Sequence, residues 1–258
     1  MLKRLAILAF VLTAPLAAPA FAASGTALGV DPAARLEDKA GAKTLIVGTD
    51  VFIGDRVVTD ARGLVQIRFS DRTELTVGPN SALVLEDYLL REDGSAGKFA
   101  INALSGSFRF VTGRAAKDSY EIKTPTGVIG VRGTAFDLNS KSDHATLLLY
   151  HGAVTMCNNA GQCVSVEDIC DIGMFDTSEA TLLGNGLELQ GGDRTSMRGM
   201  FPWAVDESPL RGDFRVDGAR QCLNRTPTVV EREERDQKER PEPVEENPDT
   251  GPNLTHGP

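Results

Sequence analysis

The chain has 258 residues, 41% hydrophobic, 24% charged and only 6% aromatic, with a formal net charge of −9. That length allows about one to two ordinary domains. An acidic chain is repelled by phosphate backbones and anionic lipid, and sparse aromatics disfavour stacking platforms, so nucleic acid, membrane surfaces and extended sugars are poor partners.

Lys3 and Arg4 open the chain, Leu5 to Leu12 is an unbroken apolar run, and Ala20-Phe21-Ala22 supplies a small-x-small pattern. This is the pattern of a secretory signal peptide (residues 1–22) cleaved after Ala22, which places the mature protein in the periplasm or outside the cell. The run is well short of the roughly 20 residues that span a bilayer, so no stable membrane insertion is expected. Residues 23–44 read as a lead-in.

From Val47 to Val166 apolar and polar residues alternate in short runs that recur about every eight to twelve residues. Val65, Ile67 and Phe69 share one face, and Gln66 and Arg68 the other. Leu75/Val77, Leu83/Leu85, Phe99/Ile101, Phe108/Phe110, Tyr120/Ile122, Phe136/Leu138, Leu147/Leu149, Val154/Met156 and Val164/Val166 continue the series. Turn formers separate them, among them Asp60-Ala61-Arg62-Gly63, Gly78-Pro79-Asn80, Asp93-Gly94-Ser95 and Thr124-Pro125-Thr126-Gly127. About ten turn-linked strands without an amphipathic helix predict an all-β fold, a β-sandwich or a rolled antiparallel sheet, over residues 45–156. Residues 157–223 read as an irregular extension stapled by cysteines. Met197, Met200, Phe201, Trp203 and Val205 form an apolar cluster there that is expected to cover the sheet. Residues 224–258 hold six prolines, nine acids and five bases, and such a tail is expected to be disordered.

Within 124–136, three glycines, one proline and Arg132 interrupt an otherwise buried-looking run. An arginine in such a place must reach the surface or meet acceptors, and Arg132 is expected to tie two strands or turns together. Five pieces in order are similar to the FecR domain family, named after the periplasmic regulator of ferric citrate uptake. Val51 to Thr59, with Gly54-Asp55, resembles the family's opening element, and Gly63 to Asp71 its following strand and turn. Leu75 to Ser81 and Leu104 to Phe110 resemble the next steps. Thr124-Pro125-Thr126-Gly127-Val128-Ile129-Gly130-Val131-Arg132-Gly133-Thr134-Ala135-Phe136 is similar to the closing signature. Arg72 departs from the pattern, which has glycine after the aspartate, so the Asp71 turn is expected to differ.

The resemblance covers about residues 45–140 and implies an extracytoplasmic domain working by protein contact, with no catalytic centre and no cofactor. Signalling members place a membrane helix and a cytoplasmic sigma-factor-binding segment ahead of the domain. Neither is read here, so a free-standing module that binds an envelope protein is expected rather than direct sigma-factor control. A glycan- or cell-wall-binding module and an envelope enzyme are the alternatives.

Cys157, Cys163, Cys170 and Cys222 predict two disulfides in a chain that leaves the cytoplasm. Cys157 with Cys163 would close a hairpin, and Cys170 with Cys222 would pin the extension to the sheet. A zinc site would need closer cysteine pairs than these spacings of five and six intervening residues. His144 and His151 with Asp143, Ser142 and Ser165 could be drawn as a triad, but no nucleophile-elbow pattern surrounds either serine.

Overall fold

The computed structural model describes residues 23–31, 34–114 and 120–224. The leader and all of the tail beyond Asn224 lie outside these residues. Fifteen strands form one continuous sheet: β1 (Gly25–Asp31), β2 (Ala34–Asp38), β3 (Gly41–Thr44), β4 (Asp50–Val51), β5 (Arg56–Thr59), β6 (Leu64–Phe69), β7 (Glu74–Val77), β8 (Ala82–Leu90), β9 (Ala96–Val111), β10 (Tyr120–Thr124), β11 (Gly127–Ser140), β12 (His144–Asn158), β13 (Cys163–Val166), β14 (Asp171–Asp176) and β15 (Ala180–Asn185). The extension then runs through helix α1 (Gly191–Met200), two short 3-10 turns at Pro202–Ala204 and Gly212–Phe214, and helix α2 (Gln221–Asn224). The lead-in is therefore three strands that belong to the sheet.

The sheet order is β15-β14-β12-β11-β10-β9-β7-β6-β1-β4, with a second branch β9-β8-β5-β2-β3. All pairs are antiparallel except β9–β10. The sheet rolls so that its branches face each other. Phe69 of β6 lies 5.7 Å from Tyr88 of β8 and 4.8 Å from Phe99 of β9, ring centre to ring centre, although β6 pairs with neither strand. These rings, with Phe110, Tyr120 and Phe136, fill the main core.

Three long strands turn the corner between branches, and their sequences show where. In β9 the core residues are Phe99, Ile101 and Ala103, then Phe108 and Phe110. In β11 they are Ile129 and Val131, then Phe136 and Leu138; in β12, Leu147 and Leu149, then Val154 and Met156. An odd-to-even switch needs one extra residue, which is what a β-bulge inserts. The β11–β12 register indeed shifts between Arg132 and Ala135 and again at Phe136. Gly133 has φ +62, and a Cβ on Gly152 (φ +85) would stand 2.2 Å from the Gly133 carbonyl oxygen. The two strands touch backbone to backbone at Gly152, which leaves no room for a side chain, while Gly133 favours glycine through its left-handed φ. Runs that read as separate strands in the sequence are thus halves of the same strand.

The β6–β7 turn is built on buried Asp71. Its carboxylate accepts from the Thr73 backbone N–H (3.1 Å), Thr73 Oγ1 (2.7 Å), Tyr88 OH (3.2 Å) and Tyr120 OH (2.7 Å). Burial, reinforced by the Asp71 charge, pushes the Tyr88 phenol up to about 12. Arg72 next to it has φ 72 and is exposed. The turn thus keeps the left-handed geometry that suits glycine, and the arginine occupies it under strain. Arg72→Gly is expected to raise stability by about 0.5–1 kcal/mol, read as a higher denaturant midpoint at unchanged slope.

Candidate functional site

Residues that look solvent-facing in β6, β9 and β11 point outward from the main core but are covered by the extension. Phe201, Ala204, Val216, Ala219, Cys222 and Leu223 pack there on Ala135, Leu148, Tyr150 and Ile172. Trp203, Leu210 and Phe214 form a smaller cluster with Leu28 and Leu64. The covering role expected of the apolar cluster is what the structure shows, with Val205 only half-buried. Helix α1, absent from the sequence reading because Gly191 and Gly192 open it, lies over the same face through Met197 and Met200.

At the centre of this contact lies Arg109, 1% exposed. Its guanidinium holds Asp137 through two bonds (Nε–Oδ1 2.6 Å, Nη2–Oδ2 3.0 Å), meets Glu207 of the extension through Nη1, and donates to Tyr150 OH at 3.2 Å. The guanidinium carbon lies 4.9 Å from the Tyr150 ring centre and 5.8 Å from that of Trp203. Glu207 also accepts the Val216 backbone N–H at 3.0 Å. Burial opposes the charge, but Asp137, Tyr150 and Glu207 outweigh it and hold Arg109 above its ordinary range. This cation and two acids form the buried ionic link between sheet and extension, beside an outer ion pair of Arg68 on β6 with Asp213 at 2.6 Å.

Arg132 has no such role. It is exposed on β11 and forms no ion pair among the described residues. The arginine that ties elements together is Arg109, one of the positions the alternation had turned toward solvent. Of the other signature residues, Thr124 Oγ1 accepts the Gly127 N–H (3.2 Å) and closes the Thr124-Pro125-Thr126-Gly127 turn from β10 to β11. Gly127 lies against the Cys157 carbonyl, and a Cβ on Gly130 would make only an ordinary contact with the Thr155 carbonyl oxygen at 3.9 Å. Buried Thr134 donates its N–H to Thr112 Oγ1 (2.9 Å) at the corner. These residues shape the sheet and present no shared surface.

Cys157 bonds to Cys163, joining β12 and β13, and Cys170 bonds to Cys222, tying the entry to β14 to α2. Of the triad residues only Asp143 and His144 meet, Oδ1 to Nδ1 at 2.9 Å, and among the described residues neither serine is brought to them by a hydrogen bond. His144 and His151 lie on one strand seven residues apart, which is about 23 Å at strand rise. Ser165 sits opposite Thr155 on the β12–β13 pair.

The surface best suited to a partner lies at the β2–β3 end. An open groove of about 800 Å³ is lined by Lys39 and Ala40 from the β2–β3 turn and by Phe52, Ile53, Gly54 and Asp55. Here two signature residues do meet a surface: Gly54 (φ +91) shapes the loop, and Asp55 fastens it by accepting the Phe52 N–H at 2.8 Å. Burial raises the Asp55 carboxyl above its ordinary value against that bond. Ile53 stands 51% exposed in this groove, and Ile46 and Val47, 62% and 60% exposed, follow the other end of β3, just past Leu45 where it bonds to Ala34. Beside the groove β3 is exposed throughout and, among the described residues, pairs only with β2. The Leu45 N–H donates to the Ala34 carbonyl, and the register continues through Lys43↔Leu36 and Gly41↔Asp38. Alternation in an antiparallel ladder then leaves the N–H and C=O groups of Ala42 and Thr44 pointing outward. Lys43, the charge that would blunt this edge, is drawn back to Asp38 at 3.3 Å.

A rolled β-sheet with a clamped-on extension and, among the described residues, a free edge near a groove defines an all-β module. Residues 55–155 match the model of the FecR protein family. No curated protein matches the chain. Two crystal structures of a candidate anti-sigma factor from Parabacteroides distasonis ATCC 8503 are similar in structure. The one at 2.50 Å resolution has 9% identity over 55% of this chain and 63% of that one, with a TM-score of 0.41. The other, at 1.65 Å, has 8% identity over 55% and 62%, with a TM-score of 0.40. The chain thus spans a little under two thirds of the length of that protein.

Proposed function

We propose that this protein is an extracytoplasmic FecR-domain module that binds another envelope protein by taking one of its strands onto the β3 edge, and that it catalyses no reaction. The observation that carries the reading is the β3 edge itself, with outward amide groups at Ala42 and Thr44 next to Ile46, Val47, Ile53 and the groove. Strand addition draws affinity from main-chain hydrogen bonds and specificity from pockets beside the edge, and both components are present. The rival edges are less open: β4 has two residues and β15 is flanked by β13. The leader pattern at residues 1–22 and the two disulfides fit an oxidising compartment outside the cytoplasm.

A photo-crosslinking residue placed at Ala42 or Ile53 of the full chain, expressed in its own envelope, is expected to trap one protein species. The same residue at exposed Arg220, on the extension, should trap none of it. Equal trapping from all three positions would refute the assignment of the site.

A further inference from the structure

The chain has four methionines after Met1, and the structure uses them unequally. Met156 is fully buried in the main core. Met174, Met197 and Met200 instead line one groove of about 430 Å³ between the sheet and α1, together with His144 and Asp143. The placement follows from the backbone. On β12–β14, Thr146 lies opposite Met174 and His144 opposite Asp176, which makes His144 and Met174 diagonal neighbours on the outer face. On α1, Met197 and Met200 are three residues apart and so lie on one side of the helix. Two donor pairs, an imidazole with a thioether from the sheet and two thioethers from the helix, thus line one opening. Here Asp143 Oδ1 lies 2.9 Å from His144 Nδ1. An imidazole that donates its Nδ1 proton to that carboxylate presents the Nε2 lone pair to the groove, the arrangement that orients metal-ligating histidines.

We propose that His144, Met174, Met197 and Met200 form a binding site for a soft monovalent cation, Cu(I). Three thioethers and one imidazole suit a soft d¹⁰ ion, while the two carboxylates that also line the groove are engaged, Asp143 by His144 and Asp176 by Ser178 and the Glu179 N–H. Among the described residues no cluster of three His, Cys, Asp or Glu side chains competes for a harder or borderline metal. All four cysteines are in disulfides, so no thiolate offers a stronger soft site. The flexible methionine side chains can close on an ion from an open groove without backbone movement.

The test uses Ag⁺, a closed-shell stand-in for Cu(I) that needs no reductant, with methionine methyl groups labelled in the full mature chain in chloride-free buffer. One equivalent is expected to shift the Met174, Met197 and Met200 methyl signals and to leave Met156 in place. Met197→Leu/Met200→Leu keeps side-chain volume and should retain the melting temperature. It should weaken Ag⁺ and Cu(I) binding by more than the roughly 100-fold that loss of an outer-shell partner alone can cost. His144→Ala should weaken both ions as well. Unshifted methyl signals at one equivalent, or unchanged affinity in the double leucine variant, would overturn the proposal.

Discussion

Arg109→Met is expected to destabilise the protein by about 3–5 kcal/mol, the cost of leaving buried acids without their cation. Asp137 and Glu207 would both lose their ionic partner, Tyr150 OH one of its two side-chain partners, and Trp203 the cation lying over it. At the roughly 2–4 °C per kcal/mol of a domain this size, the melting temperature should fall by about 10–15 °C. Side-chain volume is nearly preserved, so the loss reports the broken charge network and not a cavity. The companion variant Arg109→Met/Asp137→Leu/Glu207→Met removes all three charges. It should regain most of the loss, because a buried ionic cluster replaced as a unit by apolar groups is often close to neutral. A single-variant loss under about 1 kcal/mol, the range of an exposed ion pair, would show that Arg109 does not hold the extension to the sheet.

Removing the Cys170–Cys222 bond is expected to have the next largest effect. The bond closes a separation of 52 residues, and loop entropy assigns it about 4 kcal/mol, against about 2 kcal/mol for Cys157–Cys163 with its separation of 6. The location of the damage distinguishes them further. In Cys170→Ala/Cys222→Ala the segment 186–224 should exchange its amides and be cut by protease before the sheet opens, because α2 and the Phe201 cluster lose their covalent tie. In Cys157→Ala/Cys163→Ala the change should stay within the β12–β13 hairpin. Native-state hydrogen exchange measured on both variants separates the outcomes. Equal losses, or a sheet that opens together with 186–224, would contradict the picture of a clamped extension.

Much of the sheet was legible in the sequence because one face of each strand is apolar with period two. Val65/Ile67/Phe69, Leu75/Val77 and Phe108/Phe110 all point into the core as the alternation requires. The opposite face was not legible. Gln66, Arg109 and Asp137 sit at positions that alternation assigns to water, and only the extension, arriving from up to 145 residues away, buries them. A buried charge with partners and a solvated charge look alike in one dimension. The same limit misplaced the tie at Arg132, whose glycine-rich surroundings mark a corner bulge and not a burial site. Corners also hid strand continuity, since an odd-to-even switch in a sequence reads as a strand break. The short strands β1 to β3 carry little apolar signal; β3 is exposed at every position, so its role as an edge emerges only from pairing.

With the crosslinked partner in hand, amide hydrogen exchange of the complex measures the central claim at single residues. Strand addition at β3 predicts that the Ala42 and Thr44 N–H groups, free in the isolated module, become strongly protected. Lys43, whose N–H the ladder already directs to β2, should change little. Thr44→Pro, which deletes an outward N–H at an edge position, should lower partner affinity at least about tenfold while leaving the melting temperature within a few degrees. Protection appearing at β15 with Ala42 and Thr44 unchanged, or full affinity in Thr44→Pro, would contradict the account.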